Sequence, residues 1–358
     1  MTEPMQGWAV ELLLDEAWDA HAEDRYGAAL AAAERAVQAA EHLDDPVLLV
    51  RALSVEAATL AMQGDDAAAL TRYTRILGLA EDPASRGRLE HPAAVDAVAR
   101  AHMNWVEAAR RAGGVPLRAL FGVLDAGERY VRAVGESRWR AGLLLQRADT
   151  HRELGEWDAA VAAAQEALAL YSPGAPGYTL ATYRILLGDV LRNAGRAAEA
   201  EQYYQAVLDD PDSGSYDRTT ALVGLAWCAL DRDDPPAARR HAQAAVRDAE
   251  PLGDNAFSGP LEVLISAHRA AGDGDAAAAA ADRYLQVARR LGGHFNLYYA
   301  VKAAVQVALD SGDPNTARTL LADLDQHAHA LDTDSGTTRM SVEAAELRQQ
   351  LTDLDPNP

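Results

Sequence analysis

Ala- and Leu-rich stretches of helical character alternate along this chain with short polar junctions that share one pattern. Gly155-Glu156-Trp157-Asp158-Ala159-Ala160 lies between two such stretches. Gly64-Asp65-Asp66-Ala67-Ala68-Ala69, Gly195-Arg196-Ala197-Ala198-Glu199-Ala200, Gly272-Asp273-Gly274-Asp275 and Gly312-Asp313-Pro314 repeat it, and Gly114 and Asp233 fill the same slot in weaker copies. Junction residues 64, 114, 155, 195, 233, 272 and 312 are separated by 50, 41, 40, 38, 39 and 40 positions, with an earlier glycine-poor copy near Asp24-Arg25-Tyr26. Self-similarity at such a period marks a repeat architecture. The pattern predicts about eight units of about 40 residues.

Each unit reads as two antiparallel helices. Glycine ends the first by accepting a left-handed cap, and a following aspartate caps the second. In Asp313-Pro314 a capping carboxylate precedes a proline at the first helical position. Breakers separate the units: Asp45-Pro46, His91-Pro92, Ser172-Pro173-Gly174, Asp210-Pro211 and Glu250-Pro251. In the second helices small residues recur seven apart, as in Ala29 and Ala36, Ala119 and Ala126, Ala160 and Ala167, and Ala238 and Ala245. Two helical turns return to nearly the same face, so these pairs mark close backbone approach. After Gly336 comes one more helix with Met340, Ala344, Leu347, Leu351 and Leu354 on one stripe. It reads as a cap over the last repeat, with a dimerisation seam as the alternative.

These features resemble the tetratricopeptide repeat family, best over residues 141–171 and 181–211, where Leu187-Gly188, Gly195, Ala200, Tyr204 and Pro211 fall near consensus positions. The likeness extends over most of the chain, with a period longer than the family's usual 34, as in the extended repeats of bacterial regulatory and adaptor proteins. It implies an all-α fold, a right-handed α-α superhelix of about eight helix pairs plus the C-terminal capping helix. Residues 1–337 would form the array and 338–358 the capping helix and tail.

Composition narrows the function. Hydrophobic residues make up 49% of the chain but aromatics only 6%, which suits close-packed helices and not a β-sandwich or barrel. A formal charge of −21 disfavours phosphate backbones and anionic lipid surfaces. Lys302 is the sole lysine beside 32 arginines among the 33 basic residues. Met1 to Glu16 carries no Lys or Arg, unlike a signal peptide, and no apolar run has the length of a membrane span. With a single cysteine, Cys228, these features point to the cytoplasm.

Motifs that need fixed spacing come up short. There is no phosphate-binding GxxxxGK[ST] loop, and Ala277 stands where the third glycine of a GxGxxG run from Gly272 belongs. The acidic run from Asp210 lacks the twelfth-position glutamate of an EF-hand, which is Ala221 here. No HExxH occurs, and His327 and His329 are two apart, on different helix faces. Cys228 reads as a buried small hydrophobe. No metal, cofactor or catalytic residue is expected.

The resemblance implies that the first helix of each pair lines a concave groove. Three residues before the junction stand His21, Ala61, Arg111, Arg152, Arg192, Leu230, Arg269 and Leu309. Six before it stand Trp18, Ala58, Ala108, Asp149, Asp189, Trp227, Ser266 and Gln306. Two readings of the arginines compete: i,i+3 pairs Asp149–Arg152 and Asp189–Arg192 within a helix, or guanidinium groups that grip a carboxylate or acidic peptide. A second patch runs from His294 through Tyr299 to Lys302, where aromatic anchors beside a cation suit an interface. Asn104 and Asn193 are the asparagines at plausible groove positions.

These residues favour a non-enzymatic scaffold or adaptor whose groove takes a protein segment or peptide, acidic in character. Nucleic acid and membrane are not expected as partners, and a homodimer would form through the seam. A sensor of a small anionic ligand or peptide is the second reading, and an accessory subunit or atypical enzyme the third.

Overall fold

The structure, a computed structural model, describes residues 7–112, 114–173, 178–335 and 338–355. The breaker Gly174, the Gly336 that precedes the last helix, and Met1–Gln6 of the N-terminal segment lie outside the described residues. Among those residues there is no strand. The chain folds as two compact units, Met1–Tyr178 and Thr179–Pro358.

Unit 1 contains α1 (Gly7–Ala22), α2 (Tyr26–His42), α3 (Pro46–Met62), α4 (Asp66–Glu81), α5 (Pro83–Leu89), α6 (Pro92–Ala112), α7 (Leu117–Ala133), α8 (Arg140–Glu153) and α9 (Trp157–Leu170). Unit 2 contains α10 (Leu180–Asn193), α11 (Ala197–Leu208), α12 (Ser215–Asp231), α13 (Pro235–Ala249), α14 (Ser258–Ala270), α15 (Gly274–Leu291), α16 (His294–Asp310), α17 (Pro314–Ser335) and α18 (Arg339–Leu354). Four helix pairs fall in each unit. The unusual 50-residue interval is explained by α5, a short helix inserted between α4 and α6.

Each junction residue found in the sequence adopts the left-handed conformation: Gly64, Gly114, Gly155, Gly195, Gly272 and Gly312 have φ of 69–82°, and Asp24 and Asp233 have φ of 58°. At seven of the eight turns the next N–H donates to the carbonyl five residues earlier, as Glu156 does to His151 at 2.9 Å. That bond satisfies a carbonyl the ending helix would otherwise orphan. The following aspartate then opens the second helix: Asp65 accepts from the N–H of Ala68 at 3.0 Å, and Asp313 from that of Thr316 at 3.1 Å.

Within each unit the helices stack in sequence order, and first helices also touch one another: α1, α3, α6 and α8 in unit 1, and α10, α12, α14, α16 and α18 in unit 2. Alanine fills the seams. Ala29, Ala36, Ala160, Ala167, Ala238 and Ala245 are buried. The expectation for Ala119 and Ala126 fails: Ala119 is exposed, and Leu120 and Gly127 face the core of α7 one position later. A Cβ on Gly127 would come within 2.9 Å of His102 Cβ, so glycine takes the close-approach role assigned to alanine. In unit 2, Gly188 and Gly224 do the same for the Tyr204 ring that lies against both.

Helix α18 occupies the next first-helix position of unit 2. Ala344, Leu347 and Leu351 join the core formed with α16 and α17, and Met340 packs at its margin, while Leu354 is exposed. Asp332 of α17 accepts from the N–H groups of Met340 and Ser341 at 2.9 and 2.8 Å, which secures the start of α18.

Candidate functional site

In unit 1, first-helix side chains open onto a cavity of about 410 Å³. Trp18 and His21 come from α1, Ala58, Ala61 and Met62 from α3, and Arg100, Met103, Asn104, Glu107 and Arg111 from α6. Tyr73 of α4 and Tyr178 complete the lining. Both aligned slots of the first two pairs therefore meet at one place. In the third pair the six-before residue, Ala108, is buried, and Glu107 and Asn104 face the cavity in its stead. One residue of register turns a helix face by about 100°, enough to make that exchange.

The polar groups of this cavity are mostly held by one another. Asn104 Nδ2 donates to the Tyr73 hydroxyl at 3.1 Å, and burial pushes that phenol up to about 12. Thr59 Oγ1 gives its proton to the Val55 carbonyl at 2.8 Å, so it accepts from His21 Nδ1–H at 3.1 Å. Burial, helped by the nearby Arg100 charge, holds His21 below the usual histidine range. Arg111 binds Asp66 at 2.8 Å and also Glu107.

Arg100 differs. Its guanidinium carbon sits 5.0 Å from the Trp18 ring centre and 5.9 Å from that of Trp139. Among the described residues it has no hydrogen-bonded or ion-paired carboxylate. Asp96, the acid that acts on it electrostatically, binds Arg138 at 2.6 Å and the Trp139 Nε1–H at 3.0 Å. Sequence reasoning passed over Arg100 because it lies fourteen residues before the junction, far from the compared slots.

A second cavity, of about 310 Å³, shares Glu107, Arg111 and Tyr178 with the first and adds Arg110, Gln146, Asp149 and Glu153. Here the expected Asp149–Arg152 pair forms at 2.6 Å, and Asp149 also binds Arg110. The Tyr178 hydroxyl receives a hydrogen bond from Gln146 at 2.5 Å.

In unit 2 the expected residues spread along the row of first helices. Asp189 accepts from the Tyr204 hydroxyl at 2.6 Å. Arg192 reaches Asp231 of the next pair at 3.5 Å, donates to Asn193 at 3.1 Å, and lies 5.7 Å from the Trp227 ring centre. Arg269 likewise reaches Asp310 of the next pair at 2.5 Å. Tyr299 packs edge-on to Tyr298, and Lys302 binds Glu343 of α18 at 2.6 Å. Cys228 is buried, and desolvation pushes its thiol up to about 12, so it carries no thiolate at neutral pH.

Among the described residues no group of three or more His, Cys, Asp or Glu is placed to hold a metal ion. No helix there is long and apolar enough to cross a membrane.

Residues 139–213 and 185–254 match two family models described as tetratricopeptide repeat. No curated protein matches the chain. Among solved structures, a Rap protein in complex with Competence and Sporulation Factor is 16% identical, with a TM-score of 0.58 over 97% of this chain and 98% of that one. The apo form of the quorum sensor NprR from B. thuringiensis is 13% identical, with a TM-score of 0.58 over 95% and 98%. At these identities the likeness is one of fold. Residues 139–254 are thus matched as tetratricopeptide repeats, and the same left-handed turn between paired helices recurs before and after them.

Proposed function

We propose that this protein is a binding scaffold that holds a protein segment or peptide against its first-helix face. The observation that carries the reading is the pair of adjoining cavities in unit 1, which share Glu107, Arg111 and Tyr178. They offer rings, amide and charged groups along one surface, the mixture that suits an extended polypeptide. A neighbour of this fold is seen with Competence and Sporulation Factor and another is a quorum sensor, which supports a signal-binding role. In unit 2, Arg192, Asn193, Trp227, Arg269, Tyr299 and Lys302 are the candidates for a contact surface of that unit. Their cations already hold Asp231, Asp310 and Glu343, so an acidic partner must displace an internal carboxylate there.

The immobilised full chain, exposed to lysate of its native host, is expected to retain one polypeptide stoichiometrically. Asn104→Ala combined with Arg111→Ala should release it while the melting temperature stays within a few degrees. Recovery of no polypeptide, together with a small molecule seen by native mass spectrometry, would replace the scaffold by a ligand sensor. The positive charge of Arg100 in the cavity favours that second reading.

A further inference from the structure

The cavity of unit 1 contains a cation without a counterion among the described residues. Buried charges in proteins are ordinarily paired, because desolvation costs more than a lone charge recovers. The other arginines that line the two cavities obey that rule: Arg110 holds Asp149, and Arg111 holds Asp66 and Glu107. Arg100 instead stands against the faces of Trp18 and Trp139, and burial holds its guanidinium below the usual arginine range. Stacking on rings orients the plane of a guanidinium and leaves its edge donors for an acceptor in that plane.

The rest of the lining fits the same ligand. Asn104 donates to the hydroxyl of Tyr73, a fully buried side chain, and this bond fixes the polar side of the lining next to Arg100. Exposed Met62 and the Trp18 ring supply apolar surface to the same lining. The lining thus sets the Arg100 cation beside apolar surface, while its one carboxylate, Glu107, is held by Arg111.

We propose that Arg100 anchors the carboxylate of a ligand with a single negative charge and an apolar body. The carboxylate takes the guanidinium edge, and the body lies against Met62 and Trp18. Two sources supply this chemistry: the C-terminal residue of a peptide that ends in an apolar side chain, or a free apolar acid. The inference rests on the reading of this face as a binding surface and adds the chemical class of what it takes.

The test uses the full chain and four probes: N-acetylleucine, its uncharged analogue N-acetylleucinamide, hexanoate and inorganic phosphate. The side-chain Nε–H signal of Arg100 and the indole signals of Trp18 and Trp139 are followed by NMR through millimolar titrations. N-acetylleucine or hexanoate should shift all three saturably, and Arg100→Gln should weaken that binding by about tenfold or more. This variant removes a partly buried lone charge and is expected to fold at least as well as the wild type. Tighter binding of N-acetylleucine than of hexanoate assigns the site to a peptide terminus, and the reverse order assigns it to a free acid.

Equal binding of N-acetylleucinamide, unchanged binding by Arg100→Gln, phosphate acting as strongly as the acids, or no shift with either acid would each overturn the proposal. The two readings fail separately. Polypeptide capture that persists while the acids do nothing refutes the anchor and spares the scaffold, whereas acid binding without any polypeptide partner does the opposite.

Discussion

At the scale of single residues, His102 shows how tightly the helix pairs close. It sits inside α6 with its ring buried, donating to the Val98 carbonyl at 2.9 Å, and Gly127 of α7 leaves just enough room for it. Desolvation holds it neutral and lowers it to about 4. The unfolded chain takes up this proton near pH 6.5, whereas the folded chain resists it until about pH 4. Stability is therefore full above about pH 6.5 and falls as the pH drops toward 4, by about 3 kcal/mol from this group. Urea unfolding at pH 7 and at pH 4 should show that loss in the wild type and a smaller one, by about that amount, in His102→Gln. An equal loss in both proteins would mean that His102 is solvated in the folded state.

At the scale of elements, turns were legible in the sequence because their chemistry is local. A left-handed residue, a capping aspartate and a following helix need only a few neighbouring positions, and the junction alignment located all eight, including the aspartate copies at 24 and 233. The insertion α5 was less legible: it adds length without breaking the junction pattern, and Asp82-Pro83 was not among the recognised breakers. The helix α18 tests what a terminal element contributes. Its stripe lies on the core of α16 and α17, Tyr298 donates to the Met340 carbonyl at 3.2 Å, and Lys302 binds Glu343. A chain ending at residue 335 uncovers that core, since an array's last repeat has no neighbour to bury its apolar face. It should aggregate and melt at a lower temperature in light scattering and calorimetry. A soluble truncated chain of unchanged stability would instead mark α18 as a seam between copies.

At the scale of the whole molecule, the charge pattern separates what the sequence could show from what it could not. A total of −21 was legible, and so were the arginines that recur before the junctions. Which cation lacks a partner was not, because Arg192 and Arg269 find Asp231 and Asp310 about forty residues away, across a helix seam. Arg100 emerges only when Asp96 is seen to be occupied by Arg138 and Trp139. This distribution sets the expected response to salt. An anionic ligand is repelled at long range by the net negative charge but attracted at contact by one sheltered guanidinium. Raising the ionic strength from about 0.01 M to about 0.15 M shortens the screening length from roughly 30 Å to roughly 8 Å. Long-range repulsion is screened strongly over that interval, while the partly buried contact with Arg100 is screened much less. Affinity for N-acetylleucine should therefore stay level or rise by about twofold, as measured by the same NMR titration at the two salt concentrations. A steep fall would place the carboxylate on exposed surface cations and not in the cavity, because only there does added salt reach the contact itself.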